Sequence, residues 1–152
     1  MQIRDKYGGF PRQGGRFYDI GSGTGKPVFA AALLHPWNVC RGIEVLSSLH
    51  AASLDLLATW NRPEMQALLP PWAIAEVEFI LDDATAFPWD DADVWFANST
   101  CFDEELMRKL ALIANRMRIG TYAITFTKRL PSEHWQVLEA ELYVMSWGYA
   151  TG

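Results

Sequence analysis

Short apolar runs alternate along this chain with longer segments of helical periodicity, and most of the runs end on a polar residue. RFYDI (16–20) predicts a first strand, NVCRGIE (38–44) a second, IAEVEFIL (74–81) a third, DVWFAN (93–98) a fourth and TYAITFT (121–127) a fifth. WQVLEAELYVMSW (135–147) predicts a sixth. Thr24–Leu34 reads as a helix with Pro27 in its first turn, where a missing N–H costs little. VLSSLHAASLDLLATW (45–60) carries Leu46, Leu49, Leu54, Leu57 and Ala58 toward one side of a second helix, and Pro70–Pro71 breaks the chain after it. FDEELMRKLALIANRM (102–117) predicts a capped helix, with Asp103 or Thr100 as N-cap, acids in the first turn, basic residues toward the end and Gly120 as the stop.

Strand and helix alternate five times, which argues for a parallel sheet with helices on both faces, in one domain spanning 1–152. Ligands of such sheets sit outside the carboxyl ends of the strands. The first four strands end on Asp19, Glu44, Asp82/Asp83 and Asn98, so four polar positions are expected to converge on one crevice.

Composition narrows the classes. Half of the 152 residues are hydrophobic and the net charge is −5, which gives no electrostatic footprint for nucleic acid. Arg116–Arg118 and Lys128–Arg129 read as solvated surface. The seven tryptophans read mainly as core or interface. Cys40 and Cys101 form no CxxC pair and read as buried free thiols suited to a reducing compartment. No stretch has the apolar length of a signal peptide core or a membrane span, so an intracellular location is expected. His35, His50 and His134 lack metal-ligand spacing; His35 reads as a capping or surface residue, and Asp90, Asp91 and Asp93 as a solvated loop face, so no metal is expected.

The loop DIGSGTG (19–25) is the most informative stretch. A phosphate-binding GxxxxGK[ST] loop fails because Ile20 occupies the first glycine position and Pro27 the hydroxyl position. A dinucleotide loop needs GxGxxG, whereas here Gly21, Gly23 and Gly25 alternate directly after an acid that sits badly beside a pyrophosphate. S-adenosyl-L-methionine fits best. Its amino group can meet Asp19, the glycines allow close backbone approach, Glu44 is placed for both ribose hydroxyls, and Asp83 for the adenine amino group. The nicotinamide cofactor remains the runner-up, and Glu44 alone does not discriminate between them.

FYDIGSGTGKPVFAAAL, RGIEVL, LDDAT, VWFANSTCFDEELMRKL and MSWG together resemble the disruptor-of-telomeric-silencing (Dot-type, non-SET) histone-lysine methyltransferases, over residues 16–149. The resemblance implies an α/β fold: a three-layer α/β/α Rossmann-like class I methyltransferase sheet, mostly parallel with an antiparallel C-terminal strand. It implies S-adenosyl-L-methionine held by Asp19, Gly21, Ser22, Gly23, Thr24, Gly25, Glu44, Asp83, Ala84 and Asn98. Asn98 and Phe102 would line the place where methyl group and lysine meet. The implied partner is a protein substrate of histone type, bound without direct nucleic-acid or membrane contact, with a nuclear location if histone is the target and a cytoplasmic one otherwise. A small-molecule or other protein substrate, or a non-catalytic cofactor-binding module, is the alternative. The family's Asn-Asn-Phe segment is here Asn98-Ser99-Thr100, and Ala84 replaces its adenine-stacking aromatic, a role left to Phe87 or Trp89. With 18 residues ahead of Asp19, the family's N-terminal helical segment is expected to be lacking.

Overall fold

A computed structural model describes Lys6, Phe10, residues 13–145 and residues 148–151, with the side chains described as far as residue 141. Five strands, β1 (Arg16–Ile20), β2 (Val39–Glu44), β3 (Glu76–Leu81), β4 (Val94–Ala97) and β5 (Tyr122–Thr125), form one sheet in the order β3-β2-β1-β4-β5. Every neighbouring pair in it is parallel. The strand order reverses between β1 and β4, so the ligand-binding switch point falls beside Asp19 and Asn98.

Alternation along each strand divides the core into two layers. On one face Phe17, Cys40 and Val94 pack with Val28 and Ala32 of α1 (Lys26–Leu34), with Trp60 at the end of α2 (Ser47–Trp60) against the same cluster. On the other face Tyr18, Ile20, Ile43 and Trp95 pack with Leu110, Ile113 and Ala114 of α4 (Glu104–Ala114). A short helix α3 (Pro63–Gln66) follows α2, and a single 3₁₀ turn (Ser99–Cys101) precedes α4. Residues 82–93 cross from β3 to β4 without a helix. Trp89 of that crossover plugs the core itself, fully buried with its ring centroid 5.2 Å from that of Trp95.

Several expectations need correction. The strand expected over 135–147 is shorter: β6 (Leu142–Met145) pairs antiparallel with β7 (Gly148–Thr151), and this pair forms a two-stranded sheet of its own. Trp135 turns inward against Trp95 while Val137 and Leu138 face solvent, so the alternation there is not a ladder. Ser146 and Trp147 lie outside the described residues. In α4, Asp103 is the N-cap, its Oδ1 accepting from the Leu106 N–H at 2.7 Å. The helix ends at Ala114, leaving Arg116 and Arg118 beyond it. Leu46, which caps α2, and Leu54 and Ala58 within it are exposed, and Ser53 is fully buried. The Ser53 hydroxyl donates to the His50 carbonyl at 2.7 Å, so a polar residue sits inward without an unmet hydrogen bond.

Other residues read as surface or core exchange places. Cys40 is buried, but Cys101 is exposed. His35 caps the end of α1 through its backbone N–H and is buried, its ring centroid 4.3 Å from that of Trp37. The acidic loop is no merely solvated face. Asp90 pairs with Arg116 at 2.9 Å, Asp91 with Arg16 at 3.5 Å, and the buried Asp93 with Arg118 while accepting the Arg16 N–H at 2.7 Å.

Candidate functional site

The chain leaves β1 at Ile20 and turns through Gly21, Ser22, Gly23, Thr24 and Gly25 into α1. Gly21, Gly23 and Gly25 have φ of +73°, +56° and +85°, in the left-handed region that side chains rarely adopt. The Gly21 and Ser22 N–H groups both donate to the Ile43 carbonyl, at 2.9 and 3.0 Å, stitching the loop to the end of β2. Crowding fixes its other wall. A Cβ on Gly25 would lie 2.3 Å from the Phe79 ring, and one on Gly42 2.6 Å from the Ser22 hydroxyl. Around Gly23 the same test meets nothing within 4 Å, so the loop opens there.

Asp19, two residues ahead of the first glycine, has 1% exposure, and among the described residues its Oδ2 has no hydrogen-bond partner. Burial, and then the charge of Glu44, lift its pKa to about 8. The two carboxyl groups therefore lie close enough for their charges to interact. Glu44 is itself buried, with Oε2 accepting from the Gly23 N–H at 2.8 Å and Oε1 from the Leu46 N–H at 2.9 Å. A carboxylate offers about four acceptor sites, so Glu44 shapes the glycine loop and keeps capacity for ligand hydroxyls.

The end of β3 joins through backbone. The Asp82 N–H donates to the Glu44 carbonyl at 3.1 Å, and Asp83 follows, exposed. The Thr85 N–H bonds Asp83 Oδ1 at 2.7 Å and holds that carboxyl below its ordinary pKa. Ala84 is half-buried, its carbonyl accepting from Trp89 Nε1 at 2.8 Å. That bond and full burial keep Trp89 inside the core, away from any adenine, which corrects one of the two stacking expectations. Phe87 is half-buried and packs against the same core cluster.

At the end of β4, Asn98 is half-buried and its Oδ1 accepts from the Thr100 hydroxyl at 2.8 Å. Phe102 reaches back to the glycine loop: its ring lies 3.0 Å from where a Cβ of Gly21 would stand. The loop after β4 thus meets the loop after β1. No group of three or more His, Cys, Asp or Glu among the described residues is arranged to hold a metal ion.

A family comparison settles the lineage. The family model for histone methylation protein DOT1 matches residues 12–145. The chain belongs to that family. No curated protein matches it. Among solved structures, an RNA methyltransferase from Salinibacter ruber in complex with S-adenosyl-L-homocysteine is similar with a TM-score of 0.65 and 21% identity, over 90% of this chain and 77% of that one. An S-adenosyl-L-methionine-dependent methyltransferase from Methanococcus maripaludis, described as putative, matches with a TM-score of 0.56 and 18% identity, over 77% and 48%. A Pyrococcus horikoshii protein described as a putative RNA methyltransferase matches at 0.55 and 16%, over 82% and 52%. This DOT1-family chain spans about half the length of the latter two, and such identities establish the fold alone.

Fold and family are those of S-adenosyl-L-methionine-dependent methyltransferases, and the cofactor that the family implies fits the residues present. The Asp19 oxygen without a partner among the described residues suits a cationic amino group, and the space at Gly23 leaves the loop room for close approach. The structure brings Asp19, Gly21, Ser22, Gly23, Glu44 and Phe102 together. Thr24 and Gly25 continue the loop, while Asp83 and Ala84 follow the end of β3, two strands away, and Asn98 the end of the adjacent β4. Sequence reasoning missed Gly42 and Phe79, which wedge the loop in place. A glycine inside the apolar strand VCRGIE was the available signal, since strand glycines mark close approach of another group.

Proposed function

We propose that this chain methylates lysine side chains of a histone-type protein, using S-adenosyl-L-methionine. The supporting observation is the family match over residues 12–145, which takes in every strand end around the crevice. When bound, the cofactor supplies an electrophilic methyl group, transferred by in-line displacement. Asp19, once its proton is released to solvent, would hold the cofactor's ammonium, the glycine loop would leave room for the methionyl chain, and Glu44 would accept from the ribose hydroxyls. Asp83 and Ala84 would border the adenine base. Asn98 and Phe102 flank the entering amine: Phe102 excludes water, and Asn98 orients the nitrogen without protonating it. A lysine must arrive uncharged, and an apolar enclosure favours that form. The negative net charge suits a basic peptide rather than a nucleic acid.

A second reading, methyl transfer to a small molecule or another protein, is favoured by the exposed Thr100 hydroxyl in the segment where the resemblance implies an aromatic wall. Labelled cofactor incubated with core histones, and separately with a lysate, tests both. Label on histone lysine is expected; label elsewhere supports the second reading, and bound cofactor without transfer overturns both. On a histone substrate, Asn98→Ala should lower kcat by about tenfold or more while cofactor affinity changes by no more than about twofold. Equal losses of both would give Asn98 a cofactor-binding role instead.

A further inference from the structure

The loops that follow β4 and β5 are laced together by side chains, and the lacing ends on Asn98. Thr100 Oγ1 donates to Asn98 Oδ1 at 2.8 Å and lies 3.0 Å from Thr127 Oγ1. A hydroxyl has one proton, and that of Thr100 is committed to Asn98, so Thr127 is the donor to Thr100. The bonds run in one direction, Thr127 to Thr100 to Asn98.

Thr127 is the unusual member. Its φ is +70°, and it is the one non-glycine residue with positive φ among those described. A β-branched side chain in the left-handed region is a genuine outlier, and such strain persists only where surrounding structure over-determines it. The surroundings do so here. The Phe126 N–H donates to the Ala97 carbonyl at 3.1 Å, and the Lys128 N–H to the Phe126 carbonyl at 2.8 Å. The buried Ser99 hydroxyl donates to the Phe126 carbonyl, and Lys128 Nζ to the Phe102 carbonyl. Both neighbours of Thr127 are thereby tied to the segment that carries Asn98 and Phe102. None of those ties needs a hydroxyl on residue 127, and a glycine would take the same φ without strain.

We infer that Thr127 and Thr100 are positioning residues: their hydroxyl relay locks the Asn98 carboxamide in one orientation at the point where the methyl-accepting group enters. The role in transfer rests on the reading of Asn98 in the proposed function; the relay itself does not. An amide fixed before the substrate arrives spares the reordering that a freely rotating one requires, and this effect appears in turnover rather than in cofactor binding.

Thr127→Gly and Thr100→Val remove the hydroxyls, whereas Thr127→Ser and Thr100→Ser keep them. With each variant's folding verified by thermal denaturation, Thr127→Gly and Thr100→Val should each lower kcat about tenfold, with calorimetric affinity for S-adenosyl-L-methionine unchanged and the serine variants recovering most of the rate. Full activity in Thr100→Val, or equal loss in Thr100→Ser, overturns the inference. Should the wild-type protein modify no histone, the proposed function fails, and the relay is then judged by NMR of the ¹⁵N-labelled chain. Faster solvent exchange of the Asn98 side-chain amide protons in Thr127→Gly and Thr100→Val than in the serine variants supports the relay; identical exchange in all four overturns it.

Discussion

The two halves of the crevice are built on opposite principles. Around the ends of β1 and β2, Asp19 and Glu44 are buried together, and an oxygen of Asp19 has no partner among the described residues. Around the ends of β3, β4 and β5, the polar side chains are more open and satisfy one another: Asp83 with the Thr85 backbone, Asn98 with Thr100, Thr100 with Thr127. The first half stores an unmet electrostatic demand, which a cationic ligand would relieve. The second stores orientation. Affinity should therefore depend on the first half and turnover on the second.

The largest effect is expected where backbone and packing conspire. Gly25→Ala places a Cβ at φ +85° and 2.3 Å from the Phe79 ring, and should destabilise the fold by about 2–4 kcal/mol in chemical denaturation. Gly23→Ala, at φ +56° with nothing within 4 Å, should cost only about 1–2 kcal/mol. If the two cost the same, Phe79 does not wedge the loop.

Next comes the buried acid. Asp19→Asn should weaken calorimetric binding of S-adenosyl-L-methionine by about tenfold or more, yet leave the melting temperature unchanged or raised, because the free protein loses an uncompensated buried acid. A large fall in stability would mean that the carboxyl group holds the fold rather than a ligand.

Proton linkage gives a smaller and graded signal. The Asp19 pKa is raised on folding, from the ordinary carboxylate range to about 8. The native state thus holds a proton that the unfolded chain has released. Its contribution to stability is fully present below about pH 4 and is lost as pH rises through about 8. Cofactor affinity should run the opposite way, rising with pH toward 8 as the carboxylate forms, and Asp19→Asn should flatten that rise. A pH-independent affinity in the wild-type protein would break the contrast between the halves.

The smallest effect is expected at Asp83. It is exposed, and its lowered pKa comes first from the Thr85 backbone, so Asp83→Asn should weaken cofactor binding by only about threefold. A loss as large as that of Asp19→Asn would make the two halves equal partners in affinity.

Strand identity and the polar strand ends were legible because they are local properties. Apolar runs of strand length recur, alternating glycines follow Asp19, and each of the first four runs carries an acid or amide at its end. The region after β5 was not legible in the same way: Trp135 joins the core while Val137 and Leu138 point outward, a loop that merely imitates strand periodicity. Ser53 inside α2 and His35 beside Trp37 were hidden too: the Ser53 hydroxyl bonds the His50 carbonyl one turn back and can then sit inward, and the hydrophobic period does not reveal which polar residues the packing buries.

By itself, the sequence determined the succession of parallel strands, the turn after β1 and the polar residues that border it, since these follow from backbone freedom and hydrophobic period. Only the tertiary structure decided what those residues became. It buried Asp19 beside Glu44 and raised its pKa, clasped Gly23 with the Glu44 carboxylate, and brought Thr100 to Thr127 across 27 positions of chain. Desolvation and long-range hydrogen bonding depend on which surfaces meet, and no local stretch of sequence carries that information.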